Sequence, residues 1–380
     1  MPGPLNGVRI LELGGIGPGP FAGMMLADHG ADVIRIDRPK VASGYRDVVD
    51  RSRRSMILDI KKPGGAQAVA ALARTADGLI EGFRPGVMER LGLGPDRLLE
   101  ENPRLVYGRM TGWGQTGPLA AAAGHDINYI ALSGALHAMG GADEKPPVPL
   151  NLVGDYGGGG MLLAFGMVSA LLAARTTGQG QVVDAAISDG AALLMSMFCS
   201  PGALVPWEGP RGSHMLTGAA YFYDTYETSD RQFVAIGAIE GQFYALLLDR
   251  LGLTGDPDFS GQLDQASWPR AKERLAAIFR MRTRDEWSGL LEGTDACFAP
   301  VLSLEEAAEH PHNVARGTFV DAFGLTQPAP APRYSRDQTV APTYRTDGRD
   351  GRALLEEADY SPSGVDQLID DGVLHMPRES

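Results

Sequence analysis

The sequence predicts an α/β protein built on a parallel sheet, with a second, smaller domain further along the chain. A short apolar run at residues 8–13 is followed by a loop rich in glycine and proline, a helical pattern and another apolar run at residues 33–36. This order is that of a βαβ unit, in which the two strands are parallel. Beyond about residue 200 the pattern changes to aromatic-rich strands followed by helices, which indicates a separate domain.

The remaining elements are placed by the same two signals, short apolar runs for strands and the 3.6-residue period for helices. Two of them, at residues 79–80 and 105–107, follow helical patterns and extend the parallel sheet. The later elements are, in chain order, helices at 161–176 and 186–199, strands at 220–227 and 233–237, helices at 243–251 and 271–281, and an extended Pro/Ala connector at 328–332.

Composition limits the classes of function. The 380 residues carry a net charge of −13, which argues against broad binding to nucleic acids or anionic membranes, since both need a basic face. The longest apolar run, residues 161–174, is short for a membrane-spanning helix, and residues 1–7 lack a secretory signal pattern. Cys199 and Cys297 suit neither a disulfide framework nor a zinc site. We therefore expect a cytoplasmic protein that binds no metal.

The loop Gly14–Pro20 follows the first strand, and Asp37 ends the second, an arrangement found in dinucleotide-binding sites. Pro18 and Pro20, however, lack the backbone N–H groups that a pyrophosphate would need. Arg38 also follows Asp37 directly. The loop therefore argues against a nicotinamide cofactor.

A basic stretch begins at the end of the second strand, in a chain that is acidic overall. For any single member, a solvated position with surface ion pairs is the ordinary interpretation. As a group close to strand ends, these residues predict a site for a small ligand that carries phosphates. The members are Arg38, Lys40, Arg46, Arg51, Arg53, Arg54, Lys61 and Lys62.

Two titratable residues stand beside turn-forming sequence. His125 precedes Asp126, and a His next to an Asp is more often structural or exposed than catalytic. Asp155 comes shortly before the predicted helix at 161–176, and its ordinary interpretation is an N-cap carboxylate. A helix start also offers free N–H groups that can stabilise a developing oxyanion, so a carboxylate there can serve chemistry as well.

A series of short motifs runs in order along nearly the whole chain. They are Pro4-Leu5, Gly7–Gly19, Ala31–Arg38, Leu58–Lys61, Glu81–Val87, Arg90–Gly94, Thr111–Pro118, Gly124–Tyr129, Gly154-Asp155, Tyr223–Tyr226, Ala238–Glu240 and Asp295–Cys297. Together they resemble the family III CoA-transferases and, within them, the α-methylacyl-CoA racemases.

The resemblance implies a fold and an assembly. A Rossmann-like large domain takes residues 1–190 and 328–380, a smaller α+β domain takes residues 200–327, and a helix at 191–199 connects them. The resemblance also implies an interlocked homodimer. The implied ligand is coenzyme A, which is bound as part of an acyl-CoA substrate and not as a separate cofactor.

The resemblance further implies positions for the site. His125 and Asp155 are expected as the acid/base pair, and Glu240, from the small domain, as the group that orients His125. Arg38 is expected at the adenosine phosphates and Arg90 at another phosphate. The other positions implied to contact the substrate are Ile16, Leu58, Asp59, Ile60, Lys61, Gly82, Phe83, Arg84, Gly124, Asp126, Ile127, Asn128 and Tyr129.

Within this family His125 separates two activities. A transferase uses an Asp at the position of Asp155 as a covalent nucleophile and has no need of a general base at position 125. A racemase needs two acid/base groups on opposite faces of one carbon. The sequence therefore predicts an isomerase that interconverts (2R)- and (2S)-2-methylacyl-CoA thioesters, with a family III CoA-transferase as the alternative. A protein that only binds coenzyme A would need neither residue.

Overall fold

The structure is a computed structural model that describes residues 3–39, 47–200, 207, 209–345 and 347–377. Lys40 and Arg46 of the basic stretch lie outside the described residues.

The strands in the described part of the chain form three separate sheets. In chain order they are β1 (Arg9–Leu13), β2 (Asp32–Asp37), β3 (Arg54–Leu58), β4 (Gly78–Glu81), β5 (Val106–Thr111), β6 (Val182–Ala186), β7 (Tyr223–Glu227), β8 (Phe233–Gly237), β9 (Phe298–Pro300), β10 (Phe319–Ala322), β11 (Leu325–Pro328) and β12 (Leu374–His375).

Most helices are short, and the longest begins with a π-helical segment, Leu152–Met161. The α-helices are α1 (Pro18–Asp28), α2 (Pro63–Ala73), α3 (Val87–Arg90), α4 (Pro95–Glu101), α5 (Asp126–Leu132), α6 (Ala135–Ala138), α7 (Leu162–Thr177), α8 (Ile187–Leu194), α9 (Gly241–Leu251), α10 (Trp268–Phe279), α11 (Arg284–Leu291), α12 (Leu304–Glu309), α13 (Pro311–Arg316), α14 (Gly351–Glu357) and α15 (Pro362–Asp370). Short 3₁₀ turns lie at Val48–Asp50, Ser196–Cys199, Met215–Thr217, Pro257–Phe259 and Gln265–Ser267.

The largest sheet has seven strands in the order β12-β3-β2-β1-β4-β5-β6. Strands β1 to β6 pair in parallel, and only β12 runs antiparallel, against β3. The chain moves outward from β1 to β3 and then returns to the other side of β1 to form β4. Such a reversal leaves a crevice at the carboxyl ends of the strands, where α/β proteins bind ligands. The predicted parallel α/β sheet is confirmed.

Helices cover both faces of this sheet. The burial of β1 on both faces explains why its sequence is a continuous apolar run. Leu11 and Leu13 face a core that includes residues of α2, α14 and α15. Val8 and Ile10 face the opposite core, which contains residues of α1 and α7. Successive side chains of a strand point to opposite faces, so a strand buried on both faces needs apolar residues at consecutive positions.

A run of glycines fixes the path of the π-helical segment. A Cβ at Gly158 would lie 2.6 Å from the backbone nitrogen of Ala191 in α8, and one at Gly160 would lie 2.8 Å from the carbonyl oxygen of Pro18 in α1. Gly190 of α8 faces Gly158 in turn. Only residues without a Cβ allow the three backbones to approach this closely. π-Helical turns are rare and often occur at functional sites.

The start of this helix differs from the sequence prediction. The helix was expected from residue 161, after the glycine run, but it begins at Leu152 with Asn151 as its N-cap. Glycine disfavours a helix, and packing against α1 and α8 overcomes that preference here. Asp155 therefore lies inside the first turns, so the N-cap interpretation is wrong.

The extended helix, Leu152–Thr177, is the one helix in the described residues that is long and apolar enough to span a bilayer. Half of its most apolar window is buried inside the protein. A core helix of this length passes the same test, so the helix is weak evidence for a membrane span.

The chain is divided into two compact units. Unit 1 contains Met1–Ser133, Pro149–Leu194 and Ala315–Ser380, and unit 2 contains Gly134–Val148 and Met195–Val314. Unit 2 has an antiparallel sheet in the order β7-β8-β9 and its own core, in which Phe222, Phe279 and Trp287 are buried.

These units differ from the sequence-based boundaries in two places. Residues 134–148 group with unit 2, where Arg211 donates hydrogen bonds to the carbonyl oxygens of His137 (2.9 Å) and Met139 (2.6 Å). Residues 315–327 group with unit 1, where Arg51 donates to Gln327 Oε1 at 3.0 Å. Contacts across such sequence distances are invisible to local patterning.

The segment predicted as one connecting helix is also interrupted. Helix α8 ends at Leu194, and the 3₁₀ turn Ser196–Cys199 follows it.

We expect Gly190→Ala to destabilise the protein. The added Cβ would overlap the carbonyl oxygen of Gly158, so the free energy of unfolding should fall by about 1–3 kcal/mol, as for other overpacked sites. Chemical denaturation monitored by circular dichroism measures this change. Gly289→Ala is the matched control, because Gly289 is exposed in α11 with no atom within 4 Å of its added Cβ. That variant should be neutral or slightly stabilised; equal stability of Gly190→Ala and the native chain would contradict the packing account.

Candidate active site

A cavity of about 890 Å³ lies in unit 1 at the carboxyl ends of the parallel strands. The residues that directly follow β1, β2, β3, β4 and β5 all contribute to its wall. The cavity therefore occupies the crevice that the strand order creates. A volume of this size is sufficient for a ligand with the dimensions of a cofactor.

Most of the site residues predicted from the sequence line this one cavity. They are Ile16, Arg38, Leu58, Asp59, Ile60, Lys61, Gly82, Phe83, Arg84, Gly124, His125, Tyr129 and Asp155. Four further predicted residues belong to the same unit but are not among its lining residues: Arg90, Asp126, Ile127 and Asn128. Glu240 belongs to unit 2 and is described separately below.

Three cations of the wall are available to a ligand. Arg38, Lys61 and Arg84 are exposed side chains that line the cavity. Within the part of the chain that the structure describes, none of them forms an ion pair or a side-chain hydrogen bond. Three unpartnered positive charges around one cavity favour a ligand with several negative charges.

Four other members of the basic stretch are engaged in structural contacts, which corrects the expectation that the whole group serves a phosphate site. Arg51 pairs with Asp28 at 2.6 Å, and both side chains are buried. The remaining contacts are those of Arg53 with Glu12 (3.0 Å), Arg54 with Glu357 (2.6 Å) and Lys62 with the Asp371 carbonyl oxygen (2.7 Å).

The glycine loop brings the first turn of α1 to Asp155. Gly17 has a φ of +71°, a conformation that favours glycine, and a Cβ there would lie 3.0 Å from Asp155 Oδ2. Pro18 and Pro20 occupy the first turn of α1 and supply no N–H group to the cavity. The loop thus shapes the wall at the carboxylate.

Asp155 has an environment that disfavours its charge. The side chain is half-buried, and its backbone N–H donates to Asp126 Oδ1 at 2.6 Å. Burial, and after it the negative charge of Asp126, raise the pKa of the Asp155 carboxyl to about 6, and the neighbouring His125 partly offsets both effects. A carboxyl group of this pKa can both accept and return a proton near neutral pH.

His125 reaches the same cavity from a different element. It is the residue before α5, with an exposed side chain, and its backbone N–H donates to Asn128 Oδ1 at 3.0 Å. Asn128, predicted as a ligand contact, thus fixes the backbone at His125. Asp126 follows directly and is buried, so one residue links the segment of His125 with that of Asp155.

Tyr129 lines the same cavity. Its hydroxyl donates to the carbonyl oxygen of Gly124, and its ring meets Trp113 edge to face at 4.7 Å. A Cβ at Gly112 or Gly124 would strike the ring of Tyr129. These glycines are therefore required by the packing of the cavity floor.

Sequence reasoning missed several residues of the wall. Trp113 follows the carboxyl end of β5, and Ala120, Ala122 and Ala123 lie in the loop that leads to His125. The position of Trp113 after a parallel strand was the available signal. The three alanines could not be identified from the sequence, because alanine has no functional group and only leaves room in the cavity.

Glu240 is the N-cap residue of α9 in unit 2, and its side chain is exposed. Its charge contributes to the raised pKa of the Cys297 thiol, for which burial is the larger cause. Helix α9 begins directly after Glu240, at Gly241.

The cavity wall thus combines positively charged side chains, which can bind a polyanion, with two titratable side chains of different type, a histidine and an aspartate. His125 and Asp155 can transfer protons, or Asp155 can act as a nucleophile. Among the described residues, no cluster of three or more His, Cys, Asp or Glu side chains is arranged to hold a metal ion.

Comparisons with known proteins identify the family of the chain. The model of the CoA-transferase family III matches residues 5–347. The chain is 44% identical to the α-methylacyl-CoA racemases of Homo sapiens, over 380 residues, and of Mus musculus, over 378 residues, and each match covers 98% of both chains. A crystal structure of a CAIB/BAIF family protein from Brucella suis superimposes with a TM-score of 0.79 at 25% identity, covering 94% of this chain and 100% of that one. The chain therefore belongs to the CoA-transferase family III.

Proposed function

We propose that this protein is an isomerase that interconverts (2R)- and (2S)-2-methylacyl-CoA thioesters. The observation that carries the proposal is that His125 and Asp155, from separate elements, line one cavity. The similarity to two α-methylacyl-CoA racemases supports the same activity.

The mechanism needs two proton-transfer groups and an intermediate. One group removes the α-proton of the thioester to give an enolate, and the other returns a proton to the opposite face of the carbon. In the proposal His125 acts on the proton of the S substrate and Asp155 on that of the R substrate. The raised pKa of Asp155 allows its carboxyl group to accept the proton of the R substrate and, in the reverse direction, to donate a proton near neutral pH.

The enolate oxygen requires hydrogen-bond donors. The sequence suggested N–H groups at a helix start directly after Asp155, but that helix begins at Leu152, so those groups lie inside it. The Asp126 N–H, next to His125, forms no hydrogen bond within the described residues and is the better candidate. A fixed donor at a developing oxyanion lowers the barrier without reorganisation at the moment of reaction.

Coenzyme A accounts for the charge and size of the cavity. Arg38, Lys61 and Arg84 supply positive charge for its phosphates, and the 890 Å³ cavity accommodates an extended nucleotide with its pantetheine arm. Coenzyme A is part of the substrate, and the proposed proton transfers require no other cofactor. The thiols of Cys199 and Cys297 are free, which fits a reducing compartment and supports the proposed cytoplasmic location.

Glu240 keeps the role that the family resemblance gave it. We propose it as a positioning residue for His125, as the resemblance implies, and not as a proton donor to the substrate.

We further propose a homodimer, in which a second copy covers the outer face of α7. Four large apolar side chains follow one stripe of the long helix at spacings of four, three and four residues: Met161, Phe165, Val168 and Leu172. Phe165 and Leu172 are 71% and 69% exposed in the single chain. A contiguous apolar stripe of this kind marks a protein interface.

Light scattering tests the dimer. We expect the native protein to have twice the chain mass of 40.3 kDa, and the variant Phe165→Glu/Leu172→Glu to approach one chain mass. Leu304→Glu is the control, because Leu304 is 81% exposed on α12 in unit 2. A native protein with the mass of one chain would overturn the proposal.

A CoA-transferase that uses Asp155 as a covalent nucleophile is the second candidate, because the half-buried carboxylate lines the cavity. It predicts that hydroxylamine traps an acyl group on Asp155 and that coenzyme A moves to an added carboxylate. The proposed racemase forms no such adduct. Mass spectrometry of the treated protein separates the two functions.

The rate should depend on pH through Asp155. The pair is active when it holds one proton, so kcat/KM should fall as the pH drops below about 6 and the pair takes up a second proton. The fall should be the same in both directions, because the ratio of the two kcat/KM values equals an equilibrium constant. Asp126→Asn removes a charge that raises the pKa of Asp155, so the acid limb should move to lower pH.

The control for this prediction is Asp96→Asn, which removes the same charge from an exposed position in α4. Its pH profile should match that of the native enzyme. An acid limb that stays in place in Asp126→Asn would contradict the electrostatic account of Asp155.

A further inference from the structure

Glu81 is a buried carboxylate that the proposed mechanism does not use. It ends β4, is 1% exposed, and its Oε2 accepts a hydrogen bond from the Phe83 backbone N–H at 2.7 Å. Phe83 and Arg84 both line the cavity. Glu81 itself does not line the cavity, so its carboxylate holds the segment that carries Arg84 from behind the cavity wall.

Arg109 of β5 connects this carboxylate to the next helix. Its Nε donates to Glu81 Oε1 at 3.0 Å, and its Nη1 lies 2.9 Å from Glu89 Oε1. Glu89 belongs to α3, whose last residue is Arg90. Glu81, Arg109 and Glu89 thus tie two successive segments, one with Arg84 and one with Arg90, to the central strands.

Stability alone does not explain this network. A buried ion pair gains little, because desolvation offsets the attraction, and apolar residues of similar volume often replace such pairs without loss. Here two carboxylates share one guanidinium, and burial raises the pKa of Glu81 to about 7 against the lowering effects of the Phe83 N–H and Arg109. What the network does provide is a fixed backbone beneath Arg84, whose own side chain has no partner among the described residues.

We propose that Glu81, through Phe83 and Arg109, is a positioning residue for coenzyme A binding, which it supports by holding Arg84 toward the phosphates. This inference rests on the proposed function, because it requires the cavity to bind coenzyme A. Glu81 is not among the residues that line the cavity, whereas His125 and Asp155 are. The loss of Glu81 should therefore weaken binding and leave proton transfer intact.

Glu81→Gln tests the proposal with free coenzyme A as the probe. Glutamine keeps the size of the side chain but has one acceptor oxygen for the two donors. Calorimetry should show a Kd for coenzyme A about tenfold higher. The KM for acyl-CoA should rise by the same factor while kcat stays within about twofold, because the substitution weakens binding of the substrate and of the transition state equally. In an Arg84→Ala background the same substitution should raise the Kd less than about twofold, because the two residues act as one unit.

Asp28→Asn is the matched control. Asp28 and Arg51 form another buried ion pair in unit 1, and neither lines the cavity. This variant should lower stability without changing the Kd for coenzyme A. If Glu81→Gln does not fold, Glu89→Gln weakens the same network at a side chain that is 44% exposed, and it should raise the Kd about threefold by the same loss of alignment.

The outcomes separate this inference from the proposed function. A native protein that does not bind coenzyme A overturns both. A native protein that binds it, with Glu81→Gln or the substitute variant Glu89→Gln at the same Kd, overturns the positioning role only. Two further results would also overturn the positioning role only. One is that Glu81→Gln raises the Kd as much in the Arg84→Ala background as in the native protein, and the other is that Asp28→Asn raises the Kd as much as Glu81→Gln does.

Discussion

Asp155→Ala should lower the rate of racemisation by a factor of about 10³, within the range that positioned acid/base groups contribute. The substitution leaves one face of the α-carbon without a proton-transfer group, so a proton removed by His125 can return only to the face it left. The variant should therefore exchange the α-proton of the S substrate with solvent while its configuration is retained. NMR of (2S)-2-methylacyl-CoA in deuterated water follows exchange and inversion in the same sample.

Binding of free coenzyme A is the control for Asp155→Ala. In the proposed mechanism Asp155 acts only in the chemical step, so the Kd should stay within about twofold of the native value. Full racemisation by this variant would remove Asp155 from the mechanism.

His125→Ala should cause a loss of similar size, about 10³-fold, because it removes the opposite proton-transfer group. The remaining Asp155 should exchange the α-proton of the R substrate and leave that of the S substrate in place. Each variant should thus exchange the α-proton of one enantiomer without inverting it, and the two variants should act on opposite enantiomers. His137→Ala, at an exposed histidine of α6 that does not line the cavity, should behave as the native enzyme does.

A transferase predicts a different pair of results. Asp155→Ala would be inactive, whereas His125→Ala would keep nearly all of its transfer activity, because a covalent nucleophile needs no base at that position. The His125 variant therefore discriminates between the two candidate functions more sharply than the Asp155 variant does.

The parallel sheet was predictable because its signal is local. A strand buried on both faces must be apolar at consecutive positions, and β1 shows this with Ile10 and Leu11. The start of the long helix was not predictable, because Gly157–Gly160 are poor helix formers in isolation. They become helical only through the close approach of Gly158 to Gly190, more than thirty residues away.

The charged residues show the same limit. Arg38 and Arg53 look alike in the sequence, because both belong to one basic stretch and both adjoin an apolar strand segment. Arg38 follows β2, and Arg53 precedes β3. Arg53 is buried against Glu12, however, whereas Arg38 lines the cavity without a partner in the described residues. The partner of a buried arginine lies elsewhere in the chain, so local composition cannot identify it.

The individual residues did not show whether His125 and Asp155 form a catalytic pair. His125 and Asp155 each had an ordinary structural interpretation, and only the family resemblance connected them. The structure adds a physical link, because Asp126, next to His125, accepts the backbone N–H of Asp155. No pattern of spacing would have indicated that contact between segments thirty residues apart.

The central claim is that two groups transfer one proton across the α-carbon. The most direct measurement incubates single-enantiomer 2-methylacyl-CoA with the native protein in deuterated water and follows configuration and α-deuterium together. The account predicts that either enantiomer gives a mixture of both and that inversion places deuterium at the α-carbon. Unchanged configuration without α-deuterium, with coenzyme A moving to an added carboxylate, would contradict it.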